Sequence, residues 1–440
     1  MEYQSYPNYK RSSIDWLHEI PEHWDETVIS ALFEDNKHKN KGNVEQNLLS
    51  LSYGRIIKKD INTEEGLLPA SFETYQIVNS DHIVLRLTDL QNDQRSLRVG
   101  HVCEKGIITS AYTGLKKKSF RISSARYFYY LLHAYDLMKV FYGMGAGVRQ
   151  SLGFDELKKI RLLLPNDEEQ EHIVQFLDHE TTRIDALIEK KQRLIELLKE
   201  KRQVVITQAV TKGLDPNVPM KDSGVEWLGE VPAHWSIAKL RWLASLQGGV
   251  AKGKVISEKD AVTLPYLRVA NVQDGYVDLT EVKKIEVLKS ESKRYLLRAS
   301  DVLMNEGGDN DKLGRGTVWA GEIEPCIHQN HVFAIRTEHR LLPEFLALYT
   351  RSHSAKAHFF LRSKQSTNLA SISASNIMET SIPVPPLDEQ HTILMYVDET
   401  ITRLNLLETK TTKSIELLKK HRSALITAAV TGQIDVRNIA

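Results

Sequence analysis

The chain has 440 residues, of which 41% are hydrophobic and 26% are charged, and its formal net charge is +1. This length accommodates two or three domains with their own cores, and no apolar run approaches the length needed to cross a membrane. A net charge near zero excludes attraction to nucleic acid through total charge alone, so a nucleic-acid binder would need its basic residues clustered on one face. The polar start and the two distant cysteines, Cys103 and Cys326, lead us to expect a cytoplasmic protein with reduced thiols and no signal peptide.

A tryptophan-containing motif near the N-terminus occurs twice. Residues 14–34 read IDWLHEIPEHWDETVISALFE, and residues 225–245 read VEWLGEVPAHWSIAKLRWLAS, with identities at a constant offset of 211. Pro-x-His-Trp followed by an apolar periodic run predicts a turn that docks an aromatic ring and then starts a helix. His23 and His234 are possible acid–base groups. No Asp or Ser recurs beside both histidines, so we interpret the motif as an anchor that seats a domain.

The regions that follow the two anchors differ from each other. In the first, at about 35–164, the pattern predicts strands at 48–53, 83–87 and 107–112 and a helix at 127–142. In the second, at about 246–384, it predicts strands at 267–272 and 302–305 with glycine-containing turns between them. We therefore expect two mixed α/β globules, each dominated by a twisted or curled sheet.

A long helical pattern follows each of these variable regions. Residues 168–213 contain apolar residues at helical spacing, and the series Leu177, Ile184, Lys191, Leu198 and Val205 is spaced by seven. The same pattern returns at 388–432 with a constant offset of 220, and identities fall on polar positions as well. A spacing of seven is typical of a coiled coil, and the absence of Pro and Gly before Gly213 predicts an uninterrupted helix.

The chain is therefore a tandem repeat of anchor, variable region and long helix. We expect an α+β fold with two equal halves related by a pseudo-twofold axis and joined by two long antiparallel coiled-coil helices. The predicted segments are a first domain with its anchor at 1–165, a central helix at 166–213, a second domain with its anchor at 214–385 and a distal helix at 386–440.

Patterns typical of catalysis are weak in this sequence. Residues 248–255 nearly match a phosphate-binding P-loop, but Val255 replaces the magnesium-binding hydroxyl and the preceding segment is helical in pattern, whereas a P-loop follows a strand. Asp278, Glu281 and Lys283 have a spacing similar to that of a nuclease carboxylate set, but such a spacing arises often by chance. We therefore expect a non-catalytic chain that holds no cofactor or metal of its own.

The duplicated arrangement resembles the DNA specificity subunit of type I restriction–modification enzymes. The resemblance covers nearly the whole chain. It rests on the W-x-x-x-x-P-x-H-W anchors, the Pro-to-Gln segments that open the long helices, the paired helices with their Ala-Val-Thr ends, and stretches of the variable regions, at 16–24, 227–235, 165–170, 385–390, 144–152, 266–275 and 314–315.

This resemblance implies that each globule is a target recognition domain that reads half of an asymmetric bipartite site in double-stranded DNA. The paired helices would set the spacing between the halves, which suits two sites on one side of B-DNA separated by roughly one turn. Methyltransferase subunits, two per chain, would dock on this frame and supply catalysis and S-adenosylmethionine, and motor–nuclease subunits would join them in the family's restriction complexes.

Candidate DNA contacts are Arg, Lys, Asn and Gln in loop-like positions, because these side chains read base edges or bind phosphates. In the first globule we predict base contacts from Arg149, Gln150 and Ser151 and phosphate contacts from Lys116, Lys117 and Lys118. In the second globule the base-contact candidates are Arg268, Asn271, Arg315, Lys364, Gln365 and Asn368. For each of them the alternative is a solvated surface residue.

Two other classes of protein remain open at this stage. A duplicated coiled-coil chain is also compatible with an assembly scaffold that does not bind DNA, although a scaffold does not require loops rich in Arg, Lys and Gln. A self-contained nuclease would need a metal-binding set of carboxylates, and we find none in the sequence.

Overall fold

A computed structural model describes residues 3–62, 69, 71–93, 95–118, 122, 124–144, 151–251, 257–308, 313–365 and 370–438. The chain divides into two compact units, one comprising Met1–Lys191 with Lys413–Ala440 and the other Gln192–Thr412. Each unit contains one globule and parts of both long helices. The boundaries between the units therefore lie within the helices, because the helix ends pack on the globules.

The first unit opens with a two-stranded sheet and then forms a four-stranded antiparallel sheet. The strand order of this sheet is Phe33–Asp35 (β4), Thr113–Lys117 (β11), Ile83–Leu85 (β8) and Val99–His101 (β9). Smaller pairs are β1 with β2, β5 with β6, β7 with β10, and β3 with β12. The elements are β1 (Tyr9–Arg11), β2 (Glu19–Pro21), β3 (Asp25–Val28), α1 (Ile29–Leu32), β4 (Phe33–Asp35), β5 (Leu49–Ser52), β6 (Arg55–Lys58), β7 (Gln76–Val78), β8 (Ile83–Leu85), β9 (Val99–His101), β10 (Gly106–Ile108), β11 (Thr113–Lys117), α2 (Arg126–Leu137), α3 (Phe154–Leu157), β12 (Arg161–Leu164) and the first part of α4 (Asp167–Lys212), with 3₁₀ turns at Lys41–Asn43, Phe72–Thr74 and Val140–Gly143.

The second unit repeats the opening sheet and carries a different globule. Its four-stranded sheet has the order β16-β23-β19-β21, beside three-stranded sheets β18-β17-β22 and β20-β25-β24. The elements are β13 (Met220–Asp222), β14 (Glu230–Pro232), β15 (Ser236–Lys239), β16 (Ala244–Gly248), β17 (Ala261–Leu267), β18 (Lys283–Leu288), α5 (Lys289–Ser292), β19 (Val302–Asn305), β20 (Gly307–Gly308), β21 (Gly316–Val318), β22 (Ile327–His328), β23 (Val332–Thr337), α6 (Pro343–Thr350), α7 (His353–Arg362), β24 (Lys364–Gln365), β25 (Ala370–Ser371), α8 (Ala374–Met378), β26 (Ser381–Val384) and the first part of α9 (Leu387–Val430), with 3₁₀ turns at Leu240–Trp242 and Lys293–Tyr295.

The two long helices agree with the sequence pattern. The predicted helices at 168–213 and 388–432 are confirmed as Asp167–Lys212 and Leu387–Val430. In the first helix the apolar members of the seven-spaced series are buried, with exposed fractions of 0% for Leu177 and 8% for Leu198. This burial explains the pattern, since one stripe of each helix faces other protein and the rest meets solvent.

Within the units, the long helices also contact each other. In the first unit the Arg422 side chain lies 3.1 Å from the Asp185 carboxylate. In the second unit Arg202 donates to Asn405 at 2.6 Å and to Glu408 at 2.8 Å. Gly213, just beyond the end of α4, lies against Glu389 near the start of α9, so in the second unit the helices run antiparallel.

Several predictions of secondary structure are wrong in part or in full. Each anchor is followed first by a strand, β3 or β15, because this segment pairs with a strand that comes more than a hundred residues later, and only then by a single helical turn, α1 or the 3₁₀ turn Leu240–Trp242. The segment before residues 248–255, predicted to be helical, is the strand β16. The strand predicted at 267–272 ends at Leu267, because the Asn271 side chain accepts from the Arg268 N–H and closes a turn there. The predictions at 48–53, 83–87, 127–142 and 302–305 are confirmed as β5, β8, α2 and β19. The strand predicted at 107–112 is confirmed only for its first two residues, which end β10, and the rest is a turn that leads into β11.

In the described part of the chain, no helix is both long and apolar enough to cross a bilayer.

Candidate nucleic-acid interface

The strands that flank each globule have the same register in both units. Arg161 pairs with Val28 and Leu164 with Asp25 in the first unit, while Ser381 pairs with Lys239 and Val384 with Ser236 in the second. These partners are related by the two offsets found in the sequence, 211 for the anchors and 220 for the segments before the helices. The repeated residues therefore form a frame that closes each globule at its base. We call the following set of segments in each unit the frame: the anchor with its strand β3 or β15, the paired strand β12 or β26, and the start of the long helix that follows.

The anchor histidines bind carboxylates at the starts of the long helices. His23 Nε2 lies 2.9 Å from Glu169 Oε2, and His234 Nε2 lies 2.8 Å from Glu389 Oε2. The sequence did not reveal these glutamates as partners, because they follow the histidines by 146 and 155 residues. The available signal was that Glu169 and Glu389 share the offset of 220. The pairing supports the interpretation of the histidines as anchor residues, because it ties the anchor to the helix.

Two further contacts recur in the frame. The Gln170 amide donates to the Pro165 carbonyl at 2.8 Å, and the Gln390 amide donates to the Pro385 carbonyl at 2.9 Å. These bonds hold the turn that leads from the last strand into the long helix.

A tyrosine hydroxyl from each globule reaches the same frame position. Tyr135 donates to the Arg161 carbonyl at 3.2 Å, and Tyr349 donates to the Ser381 carbonyl at 2.8 Å. The two tyrosines lie in variable regions that could not be aligned, so the sequence did not reveal them as a pair. Unlike globules thus attach to the frame through the same kind of bond.

The predicted phosphate-binding lysines of the first globule lie on and just after strand β11. Lys116 pairs with Glu34 at 2.9 Å, Lys117 pairs with Asp81 at 2.7 Å, and Lys118 donates to the Ser30 carbonyl at 2.6 Å. Burial of the Asp81 carboxyl opposes ionisation, but hydrogen bonds from His101 and Lys117 outweigh it and hold the Asp81 pKa below its usual range. All three lysines have partners within the protein, so they do not form an unpaired basic run.

The loop predicted to contact bases in the first globule is described only at its end. Arg149 and Gln150 lie outside the described residues. Ser151 is exposed, and the next residue, Leu152, donates its N–H to the Leu87 carbonyl at 2.9 Å. Ser151 therefore lies beside the loop that follows β8, in which the buried Arg98 guanidinium donates to the Arg86 and Thr88 carbonyls.

In the second globule, Arg268 and Asn271 belong to one turn. Asn271 is only 3% exposed, and its amide donates to the Asp278 carbonyl at 2.8 Å and to the Glu281 carbonyl at 3.0 Å. Arg268 donates to the Glu281 carbonyl at 3.1 Å. These contacts favour the interpretation of Asn271 as a residue that holds the turn rather than one that reaches a base.

Arg315 has a different environment from Arg268. It lies half-buried between Gly314 and strand β21, and its backbone carbonyl accepts from the Asn305 N–H at 2.9 Å. Its Nε, like that of Arg268, is shielded from solvent and has no hydrogen-bond partner among the described residues. An unsatisfied guanidinium N–H is costly in the isolated protein, which suits residues whose partner arrives with a ligand.

Lys364 and Gln365 lie on the short edge strand β24 and are exposed. They line a groove of about 530 Å³ together with Val269, Glu306, His331 and Ser371. Asn368, predicted to act with them, lies outside the described residues. The structure thus brings two of the predicted residues into one concave surface.

Sequence reasoning missed Glu306 and His331 in this groove. His331 Nδ1 lies 2.5 Å from Glu306 Oε2, although the two residues are far apart in the sequence and neither belongs to a recognisable motif. The visible signal was the Gly307–Gly308 pair directly after Glu306, which marks a close approach of backbone.

Comparison with known proteins gives one family. The model of the type I restriction modification DNA specificity domain matches residues 105–197 and 233–417. The specificity subunit of the type I restriction enzyme EcoKI from Escherichia coli K12 is 23% identical over 287 residues. These residues make up 63% of this chain and 58% of that relative. Other curated relatives are matched over about half of their own length.

Two solved structures share the fold. A chain from a study of complex assembly and conformational transition in the type I R-M system aligns with a TM-score of 0.66 at 13% identity, covering 94% of this chain and 99% of that one. The HsdS subunit from Thermoanaerobacter tengcongensis aligns with a TM-score of 0.55 at 14% identity, covering 96% and 100%.

Proposed function

This chain belongs to the family of type I restriction modification DNA specificity domains, and from that premise we propose that it is the DNA-recognition subunit of a type I restriction–modification complex. The observation that carries the proposal is the repeated frame, whose strand register is the same in both units although the globules differ. Two unlike globules on equivalent frames suit an asymmetric site with two specified halves.

The two long helices would act as the spacer in this arrangement. Support comes from the buried seven-spaced residues and from the helix–helix contacts of Asp185 with Arg422 and of Arg202 with Glu408. We interpret them as an antiparallel coiled coil that relates the two frames by a pseudo-twofold axis. Two half-sites read from one face of B-DNA would lie roughly 10 bp apart.

Catalysis in this proposal belongs to partner subunits. Two methyltransferase subunits, one for each frame, would supply the active sites and the S-adenosylmethionine, and motor–nuclease subunits would join them for restriction. The similar chain from the type I R-M system was solved in a study of complex assembly, which supports association of this chain with other subunits. The complex would act in the cytoplasm, where its double-stranded DNA lies.

A methylome tests this function. The chain is expressed with the methyltransferase encoded beside it in a host that lacks other adenine methylation, and modified bases are mapped by single-molecule sequencing. We expect one new motif with two short specified halves around an unspecified gap. A stable complex that produces no motif and does not bind DNA would contradict the proposal and favour a scaffold.

A further inference from the structure

The groove of the second globule contains a carboxylate where a DNA-binding surface would ordinarily carry cations. We propose that Glu306, oriented by His331, reads one base of the half-site and selects cytosine or adenine, the bases that present an exocyclic amino group in the major groove. This inference rests on the proposed function, because it assumes that the second globule reads DNA.

The backbone of Glu306 is fixed on both sides. Its N–H donates to the His331 carbonyl at 2.9 Å, and its carbonyl accepts from the Ile372 N–H at 2.9 Å. The preceding residue, Asn305, ends strand β19 and is only 1% exposed. A side chain that leaves such a position has a defined direction, which base reading requires.

The side chain of Glu306 has one oxygen engaged and one available. Because a carboxylate can only accept, the hydrogen bond of 2.5 Å to Oε2 requires the His331 Nδ1–H as donor. The Asn330 amide lies 3.4 Å from His331 Nε2 on the other side of the ring. Among the residues that the structure describes, none donates to Oε1 of Glu306, so the pair presents one oriented acceptor at the groove.

The two residues after Glu306 are glycines and have no side chains. Gly307 and Gly308 pair with Ser371 and Ala370, and a Cβ on Gly307 would lie 2.8 Å from the Ala370 carbonyl oxygen. A larger residue at Gly307 would force the two strands to shift. In the described part of the groove, the carboxylate is therefore open on this side to the edge of a base pair.

A carboxylate on a DNA-binding surface is unfavourable unless it has a specific role, because it repels phosphates. The alternative role is an exposed ion pair that ties two segments together, and such exposed pairs stabilise a protein only weakly. The two backbone hydrogen bonds already tie the same segments. A group that only accepts hydrogen bonds also discriminates between bases. It binds the amino groups of cytosine and adenine and repels the keto oxygens of guanine and thymine.

The test compares methylomes of complexes assembled with wild-type and variant chains. Glutamine both donates and accepts, so Glu306→Gln should admit guanine or thymine at one position of one half-site, with discrimination there reduced by about fivefold or more. The other half-site should not change. Glu306→Asp keeps an acceptor-only group and should keep the wild-type base while lowering the modified fraction.

Two control variants separate base reading from other effects. Glu286→Gln changes an exposed carboxylate on β18 of the same globule, outside the groove, and should leave both the recognised bases and the level of modification unchanged. Glu389→Gln alters the same kind of Glu–His pair in the frame and should leave the recognised bases as they are, whatever its effect on the level of modification.

The outcomes discriminate between the inference and the function on which it rests. A wild-type complex that gives no bipartite motif and does not bind DNA overturns both. A wild-type motif that Glu306→Gln leaves unaltered overturns this inference alone. If Glu306→Gln does not assemble, Glu306→Ala decides in its place, because loss of the acceptor should reduce discrimination at the same position and an unaltered motif would overturn the inference.

Discussion

The two frames agree in register, but they differ in how deeply their shared residues are buried. In the first unit Glu169 is 2% exposed and also accepts from the Tyr6 hydroxyl at 2.6 Å. The equivalent Glu389 in the second unit is 30% exposed. Likewise Phe176 packs edge-on against Tyr3 with ring centroids 5.6 Å apart, whereas the equivalent Tyr396 is 46% exposed.

This difference in burial arises because different segments of the chain lie beside the frame in the two units. The first unit contains the N-terminal segment and the C-terminal tail together, and they are joined by a hydrogen bond of 2.7 Å from the Asp435 N–H to the Gln4 carbonyl. In the second unit a single linker, residues 213–219, connects the end of α4 to β13. The comparison shows that duplicated sequence conserves strand register, while the burial of duplicated residues depends on what else the chain places beside them.

The largest expected effect comes from the anchor tryptophans. Trp24 and Trp235 are 0% and 1% exposed, so alanine at either position should cost its own unit about 3–5 kcal/mol of unfolding free energy. Chemical denaturation, with hydrogen exchange of the strands at 161–164 and 381–384, measures the two units separately. Trp242→Ala is the control, since Trp242 is 69% exposed. An effect of the anchor variants no larger than that of the control would show that the frames do not depend on these rings.

The second largest effect is expected from acidification, which should lower the stability of each unit by protonating its buried histidines. Burial, reinforced by the nearby Arg422 charge, lowers the pKa of His133 from 6.5 to about 4. An unfolded histidine binds a proton below 6.5 and the folded one only below 4, so unfolding takes up a proton in this range and stability falls as pH falls. The loss at pH 4 is about 3 kcal/mol. His133→Leu should remove this share of the acid sensitivity of the first unit between pH 6.5 and 4, and the remainder includes His82, whose pKa burial also lowers.

The matched variant for this titration lies in the second unit. Burial also lowers the pKa of His358, so His358→Leu should flatten the acid response of the second unit and leave that of the first. Hydrogen exchange at several pH values reports both responses. If His133→Leu left the pH profile of the first unit unaltered, then His133 would not be the group that makes it acid-sensitive.

The His–Glu pairs should show a smaller and unequal effect. Glu169→Ala leaves the buried Tyr6 hydroxyl without its acceptor and should cost the first unit about 2 kcal/mol. Glu389→Ala removes a partly exposed pair and should cost the second unit less than about 1 kcal/mol. Urea denaturation of both variants measures the difference. Equal losses would mean that the difference in burial has no energetic consequence.

The smallest effect is expected to be the same in both units. Tyr135→Phe and Tyr349→Phe each delete one hydroxyl that donates to a frame carbonyl, at a cost of about 1 kcal/mol. Thermal denaturation of each variant beside the wild type measures this loss. Losses that differ severalfold would indicate that the two globules attach to their frames in different ways.

Much of the frame could be predicted from the sequence because its signals are local or repeated. The helix bounds followed from periodicity and from the glycine after Lys212, and the duplication followed from identities at constant offsets, as at Trp24 and Trp235. The candidate site was only partly accessible. Lys364 and Gln365 were predicted from a loop-like setting and line one groove, and their contact with DNA stays a prediction. Glu306 and His331 were missed because a fold contact, not a motif, joins them.

The sequence by itself therefore determined the repeat, the long helices and the family, because identity and period can be read from residues near one another or at a fixed offset. Only the tertiary structure decided which polar residues are available. Asn271 and the lysines of β11 have the residue types of DNA contacts, but they are engaged by partners within the protein. Strand pairing also overrode the helical pattern after each anchor. The physical reason in each case is that hydrogen-bond partners distant in sequence decide where a polar group or a backbone segment is satisfied.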